Sequence, residues 1–230
     1  MKQVWKRKNQ QRLFKANIQA TFNRATPQDI HTGTHWYLKA ATAVTSIADK
    51  YNLEAWRVAG VVAVLSPSMP WHRNVKTAEH FITSTQANVD VLASEFKAGA
   101  YGFKNKRTAL DYMTCEPADS SYSLPRLGPK TGAFYWNLLG DLKVPTIDGH
   151  MYACMLGDQH ASTHEIYAQH GRLTGKRYKV LADALVTAAD SNRLLPAVFQ
   201  AITWTVWRRL KNENSELRQG GYRQDSEVPF

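Results

Sequence analysis

The spacing of apolar residues is helical along almost the whole chain, and convincing alternation with a period of two is absent. Apolar side chains that recur every three or four residues line one face of a helix, whereas a half-buried strand needs strict alternation. The sequence therefore predicts an all-α fold. The stripes that carry this prediction are Tyr37, Ala40, Val44, Ile47 and Tyr51; Val58, Val61, Val62 and Leu65; Val75, Ala78, Phe81 and Ile82; Val89, Leu92 and Phe96; Tyr178, Leu181, Leu185 and Ala188; and Phe199, Ile202, Val206 and Leu210.

Two short phrases interrupt this pattern with the residues of a turn and of a helix start. Residues 124–131 read Leu-Pro-Arg-Leu-Gly-Pro-Lys-Thr, and residues 144–150 read Val-Pro-Thr-Ile-Asp-Gly-His. A glycine followed by a proline predicts a helix start, where free backbone N–H groups can hold a phosphate. The phrases thus predict an amine, Lys130, and a carboxylate, Asp148, at the starts of successive helices.

The two phrases resemble the helix-hairpin-helix DNA glycosylases, whose hairpin reads roughly Leu-Pro-Gly-hydrophobic-Gly-x-Lys-Thr-Ala and is followed by hydrophobic-Asp-Thr-His. In the endonuclease-III-like and oxoguanine-glycosylase-like branches, a lysine and an aspartate at this separation are the catalytic pair, and they correspond to Lys130 and Asp148. The chain departs from the pattern at Arg126, which replaces the first hairpin glycine, at Gly132 and at Gly149. Because glycine adopts positive φ at little cost, Arg126 raises the question of whether the turn keeps its shape.

The resemblance implies a fold, a reaction and a partner. Two helical subdomains flank the hairpin: a central lobe of residues 58–150, with the helix-hairpin-helix at about 110–140, and a terminal lobe of residues 1–57 and 151–210. Residues 211–230 are predicted to be a flexible tail because they contain few apolar residues. The expected enzyme is a monomer that flips a damaged, mispaired or modified base out of double-stranded DNA and excises it. An associated AP lyase activity would use a Schiff base on Lys130.

The resemblance also assigns binding residues. The hairpin residues Leu127, Gly128, Lys130 and Thr131 are expected to hold the DNA strand, with a monovalent cation as a possible ligand of the hairpin carbonyls. A flipped base needs a stacking surface and polar groups at its edge. The residues assigned to such a base pocket are Ser66, Trp71, Asn74, Gln200 and Trp204.

Charge and cysteine content limit the other possibilities. The formal net charge of +10 favours an acidic partner, nucleic acid before anionic membrane. Cys115 and Cys154 are the two cysteines, so we predict no iron–sulfur cluster, and the i, i+4 pair His160 and His164 lacks the further ligands of a zinc site. The chain has neither a membrane-spanning apolar run nor a secretory signal pattern, which predicts an intracellular protein associated with nucleic acid in the cytoplasm or nucleoid.

Two other functions are compatible with the same residues. An enzyme of this fold could remodel a hypermodified pyrimidine in DNA rather than excise it, and the departures at Arg126 and Gly149 are compatible with such a branch. Alternatively, the chain could be a non-catalytic DNA-binding module, in which Lys130 contacts phosphate and Asp148 only caps its helix.

Overall fold

The prediction of an all-α fold is confirmed by the structure, which is a computed structural model. It describes the backbone of residues 7–98, 102–115 and 125–219, and the side chains of residues 9–98, 102–115 and 125–213. Within these ranges the chain forms ten helices and no strand. They are α1 (Arg7–Phe22), α2 (Pro27–Tyr51), α3 (Ala55–Leu65), α4 (Trp71–Gln86), α5 (Gly102–Thr114), α6 (Pro129–Leu138), α7 (Gly149–Leu156), α8 (Thr163–His170), α9 (Gly175–Ser191) and α10 (Pro196–Gln219).

The chain divides into two compact units. The terminal unit comprises residues 1–38 and 140–225, and the central unit is built from residues 39–139. These boundaries lie at 38/39 and 139/140, whereas the sequence prediction set them at 57/58 and 150/151. Helix α10 continues to Gln219, so the first nine residues of the predicted tail, 211–219, are helical, and residues 220–230 lie outside the described ranges.

The central unit is organised around α3, which packs against α4, α5 and α6. Every residue of α3 from Val58 to Leu65 is buried, because a short helix that is apolar on all sides has no face suited to water. Gly60 allows the ring of Tyr112 to lie directly against the helix, since a Cβ at position 60 would lie 2.1 Å from that ring. The Tyr112 hydroxyl then donates to the carbonyl of Pro125, 3.4 Å away, at the start of the described part of the hairpin.

The segment after α4 differs from the sequence prediction. The stripe Val89, Leu92 and Phe96 was expected to be helical, but residues 89–98 are irregular. Their carbonyl groups face the buried ammonium of Lys106, which donates to the carbonyls of Leu92 and Phe96 at 3.2 and 3.1 Å and to that of Ala93. The prediction was wrong because these carbonyls bond to a lysine on α5 instead of to amides within a helix.

The terminal unit packs α1 against α7, α9 and α10, and α7 against α8 and α10. Its core contains Phe14, Ile18, Met151, Leu185, Phe199 and Val206, all buried. Gly33 of α2 lies against α10, where a Cβ would come within 2.4 Å of the backbone of Ile202. The unit thereby holds the start of α7, which bears Asp148, against the middle of α10.

Candidate functional site

The predicted site residues are divided between the two units, each of which is described by itself. Lys130, Thr131, the hairpin residues and the pocket residues Ser66, Trp71 and Asn74 belong to the central unit. Asp148, Gln200 and Trp204 belong to the terminal unit. The first residue of the hairpin phrase, Leu124, lies outside the described residues.

The hairpin in the central unit leads into a helix start without a side-chain cap. Gly128 occupies the N-cap position with an extended backbone, and Pro129, Lys130 and Thr131 form the first turn of α6. Because Gly128 has no side chain, nothing from the N-cap occupies the amides of Lys130 and Thr131. These two N–H groups and the adjacent ammonium are the components of an anion-binding helix start.

Lys130 itself is half-buried. Within the described part of the central unit its ammonium has neither an ion pair nor a hydrogen bond. Arg126 does not adopt positive φ, so the described part of the turn, residues 125–128, does not require the glycine that the family pattern places there. Gly128 also has negative φ (−65°).

The predicted pocket residues of the central unit meet at the end of α3 and beside α6. Ser66 donates to the carbonyl of Ala63 at 2.9 Å, and Asn74, only 1% exposed, donates to that of Val62 at 3.2 Å. Both side chains thus bond to the last turn of α3. Trp71 makes an edge contact with the ring of Phe134, with centroids 6.5 Å apart, one helical turn beyond Lys130.

In the terminal unit, the carboxylate of Asp148 is fixed by two N–H donors. Its Oδ1 atom accepts from the amide of Met151 at 2.8 Å, which makes Asp148 the N-cap of α7. Its Oδ2 atom accepts from the indole Nε1–H of Trp204 at 3.0 Å. Trp204, predicted as a pocket residue, therefore holds the predicted catalytic carboxylate directly.

Tyrosine side chains support the segment around Asp148. The hydroxyl of Tyr178 donates to the carbonyl of Pro145 at 2.8 Å and accepts from the amide of Ile147 at 3.0 Å. Gln200 is buried and accepts from the hydroxyl of Tyr37 at 2.7 Å. Burial raises the pKa of both tyrosines, with a further contribution from the negative charge of Asp148, so both hydroxyls are neutral donors at neutral pH.

Sequence reasoning missed the contribution of these tyrosines. Tyr37 and Tyr178 belong to apolar stripes, where a tyrosine is hard to distinguish from an ordinary core residue. His150 and Arg208 were also missed as neighbours of Asp148. The negative charge of Asp148 acts to raise the pKa of both side chains. Arg208 had no sequence signal beyond its position one turn after Trp204.

The described residues contain no group of three or more histidine, cysteine or acidic side chains that could hold a metal ion. Cys115 and Cys154 are both buried, and they are not joined by a disulfide. Burial raises the pKa of the Cys154 thiol to about 12, so it remains protonated at neutral pH. None of the helices in the described ranges is long and apolar enough to cross a membrane.

One family model matches the chain, over residues 1–211, and the family is described as one of unknown function (DUF7178). No curated protein and no solved structure matches.

Proposed function

Because the chain belongs to the DUF7178 family, whose function is unknown, we propose from its own residues that it is a DNA glycosylase with an AP lyase activity. In this proposal the enzyme flips a damaged, mispaired or modified base out of duplex DNA and excises it. Lys130 is the nucleophile and Asp148 is the assisting carboxylate. The proposal rests on the resemblance of the hairpin and on the local surroundings of these two residues.

The observation that carries the proposal is the fixed carboxylate of Asp148. Two N–H groups, from Met151 and Trp204, orient its two oxygens. A fixed negative charge can stabilise the cationic sugar that develops as a glycosidic bond breaks. An N-cap that served only the helix would need the Met151 contact alone.

Three features of the central unit support DNA binding and attack. The amides of Lys130 and Thr131 at the uncapped start of α6 can bind a backbone phosphate. Lys130, which is half-buried, lies in the same first turn of α6 as these amides. In this proposal Trp71, which lies beside Phe134 on α6, stacks on the flipped base.

The proposed reaction proceeds in two steps. The neutral amine of Lys130 attacks C1′ of the flipped nucleotide, the bond from C1′ to the base breaks, and the base leaves with the bonding electron pair and takes up a proton. The attached amine loses a proton, O4′ takes one up as the sugar ring opens, and a Schiff base forms between Nζ and C1′, with Asp148 as the assisting negative charge. Loss of the C2′ proton then eliminates the 3′ phosphate and cleaves the strand.

Borohydride trapping tests this proposal. Sodium borohydride reduces a Schiff base to a stable amine, so the wild-type protein should become covalently linked to duplexes that contain a substrate base or an abasic site. Lys130→Ala should abolish the adduct. Asp148→Asn, which keeps a side-chain oxygen for the helix cap, should lower the trapping rate by about a hundredfold, as expected for loss of charge stabilisation.

Lys104→Ala provides the matched control. Lys104 is an exposed lysine in the first turn of another central-unit helix, α5, and its loss should leave the trapping rate unchanged. An adduct that survives Lys130→Ala would refute the assigned nucleophile. Measurement of free base in the same reactions distinguishes excision, which releases it, from remodelling of a base that stays attached to DNA.

The double role of Asp148 also favours a second candidate, a non-catalytic DNA-binding module. Both of its oxygens already accept structural hydrogen bonds, so its presence can be explained by stability alone. In that case DNA binding would depend on salt, Lys130→Ala would reduce it only slightly, and no duplex would give a trapped adduct. The trapping experiment therefore decides between the two candidates.

A further inference from the structure

Three basic side chains cluster in the terminal unit, on α7 and α10. A guanidinium nitrogen of Arg208 lies 3.0 Å from Nε2 of His150, and the guanidinium stands 5.6 Å from the ring centre of Trp204. Lys211, almost one helical turn beyond Arg208, donates to the carbonyl of Ala161 at 2.6 Å. All three side chains are half-buried, so the cluster borders solvent.

Among the described residues, no anion is paired with the positive charge of the cluster. Within the described residues no carboxylate oxygen lies within 4.0 Å of the charged nitrogens of Arg208 or Lys211. Three nearby carboxylates already accept hydrogen bonds from backbone amides. Asp148 accepts from Met151, Asp158 accepts from His160 and Ala161, and Glu165 accepts from Ser162. Partly buried cations without counterions are costly and therefore call for an explanation.

The pKa directions agree with this arrangement. Burial lowers the pKa of Arg208, of Lys211 and of His150, and the cations of the cluster lower it further for Lys211 and His150. Asp148 acts in the opposite direction on Arg208 and His150 without outweighing burial. Each basic group would thus gain from an added negative charge.

Two hydrogen-bond donors of the cluster are also unused. Because Arg208 donates to Nε2 of His150, that nitrogen is the acceptor and the imidazole proton is on Nδ1. Among the described residues, neither Nδ1 of His150 nor Nε of Arg208 has a hydrogen-bond partner, although both atoms are buried. Unused donors beside unpaired cations are the features of a site for an oxyanion with several acceptor oxygens.

We propose that His150, Arg208 and Lys211 form a binding site for a phosphate group. The guanidinium and the ammonium neutralise the phosphate charge, and His150 orients the guanidinium through its Nε2 atom. That this phosphate belongs to the DNA strand rests on the proposed function. Phosphate binding itself does not, because the three residues would recognise a free phosphate by the same chemistry.

Calorimetric titration with inorganic phosphate, at constant ionic strength set by chloride, tests the site. Wild-type protein should bind phosphate with a saturable isotherm and melt at higher temperature as phosphate is added. Arg208→Met and Lys211→Met should each weaken binding by about tenfold or more, the usual effect of losing a charge-assisted hydrogen bond. Arg208→Met should also melt at or above the wild-type temperature in phosphate-free buffer, because it removes an unpaired, partly buried charge.

Arg172→Met and Lys176→Met are the matched controls, since both residues are exposed in the same unit and each substitution removes the same charge. They should bind phosphate as the wild type does. Absence of a saturable isotherm, or equal losses in the Arg208 and Arg172 variants, would overturn the site. So would an Arg208 variant that binds phosphate normally but unfolds at much lower temperature.

Binding of an undamaged duplex oligonucleotide, measured over a range of salt concentrations, identifies the source of the phosphate. Weaker DNA binding by Arg208→Met, with a smaller salt slope than wild type, supports a backbone phosphate. Loss of phosphate binding with unchanged DNA binding overturns that assignment and supports a free phosphate. Failure of wild-type trapping on Lys130 would refute the proposed enzymatic function and leave the phosphate result intact.

Discussion

Replacement of Trp204 by phenylalanine tests whether its indole holds Asp148 in place. The substitution keeps an aromatic ring beside Arg208 and removes the 3.0 Å bond from Nε1 to Oδ2. A hydrogen bond to a charged group contributes about 1.5–3 kcal/mol, and the half-buried position of Asp148 lowers the expected loss to about 1–2 kcal/mol. At about 2–4 °C per kcal/mol for a domain of this size, the melting temperature should fall by roughly 2–8 °C.

Asp148→Ala completes the thermodynamic cycle. It removes the bond to Trp204 and also the N-cap of α7, which contributes about 1 kcal/mol, so the expected loss is about 2–3 kcal/mol. Because the bond between the two residues can be lost only once, Trp204→Phe should cost at most about 0.5 kcal/mol more when Asp148 is already alanine. The predicted coupling energy is about 1 kcal/mol.

Urea unfolding followed by far-ultraviolet circular dichroism measures all four members of the cycle. Trp136→Phe is the control, because the indole of Trp136 is 47% exposed, and its loss should change the free energy of unfolding by less than about 0.5 kcal/mol. Equal costs for Trp204→Phe with and without Asp148 would show that the two residues are independent. That result would remove the observation on which the proposed function depends.

Two further predictions concern buried charges. Lys106→Met should lower the free energy of unfolding, measured by urea titration, by roughly 2–4 kcal/mol, because it leaves the carbonyls of residues 92, 93 and 96 without their donor. The control Lys104→Met, at an exposed lysine, should have almost no effect. For Asp29, burial raises the pKa, but hydrogen bonds and charge from Arg209, with bonds from Thr26, outweigh it and lower the folded-state pKa. The stability that results is present above the unfolded-state pKa of Asp29, near 4, and is lost as the pH falls through and below that value. Asp29→Asn should therefore flatten the acid limb of the curve of unfolding free energy against pH. An unchanged acid limb would contradict this assignment.

The sequence by itself determined the helical class and most of the buried faces. Apolar residues at helical spacing must face a common core, so Val58, Phe81, Leu185 and Val206 could be assigned to it without knowledge of their neighbours. The helix starts at Pro129 and Gly149 were likewise readable, because Pro129 and the N-cap residue Asp148 have local roles. Local signals failed at residues 89–98, where a lysine fourteen residues from Leu92 decides the backbone conformation.

Tertiary structure alone decided the surroundings of the proposed catalytic carboxylate. The spacing of Lys130 and Asp148 suggested a function, but nothing in the chain order linked Asp148 to an indole 56 residues away. The pairing of Arg208 with His150 spans 58 residues and was equally invisible. Such contacts depend on how α7 and α10 pack, and packing is set by the combined shape of many apolar side chains, which a linear pattern does not encode.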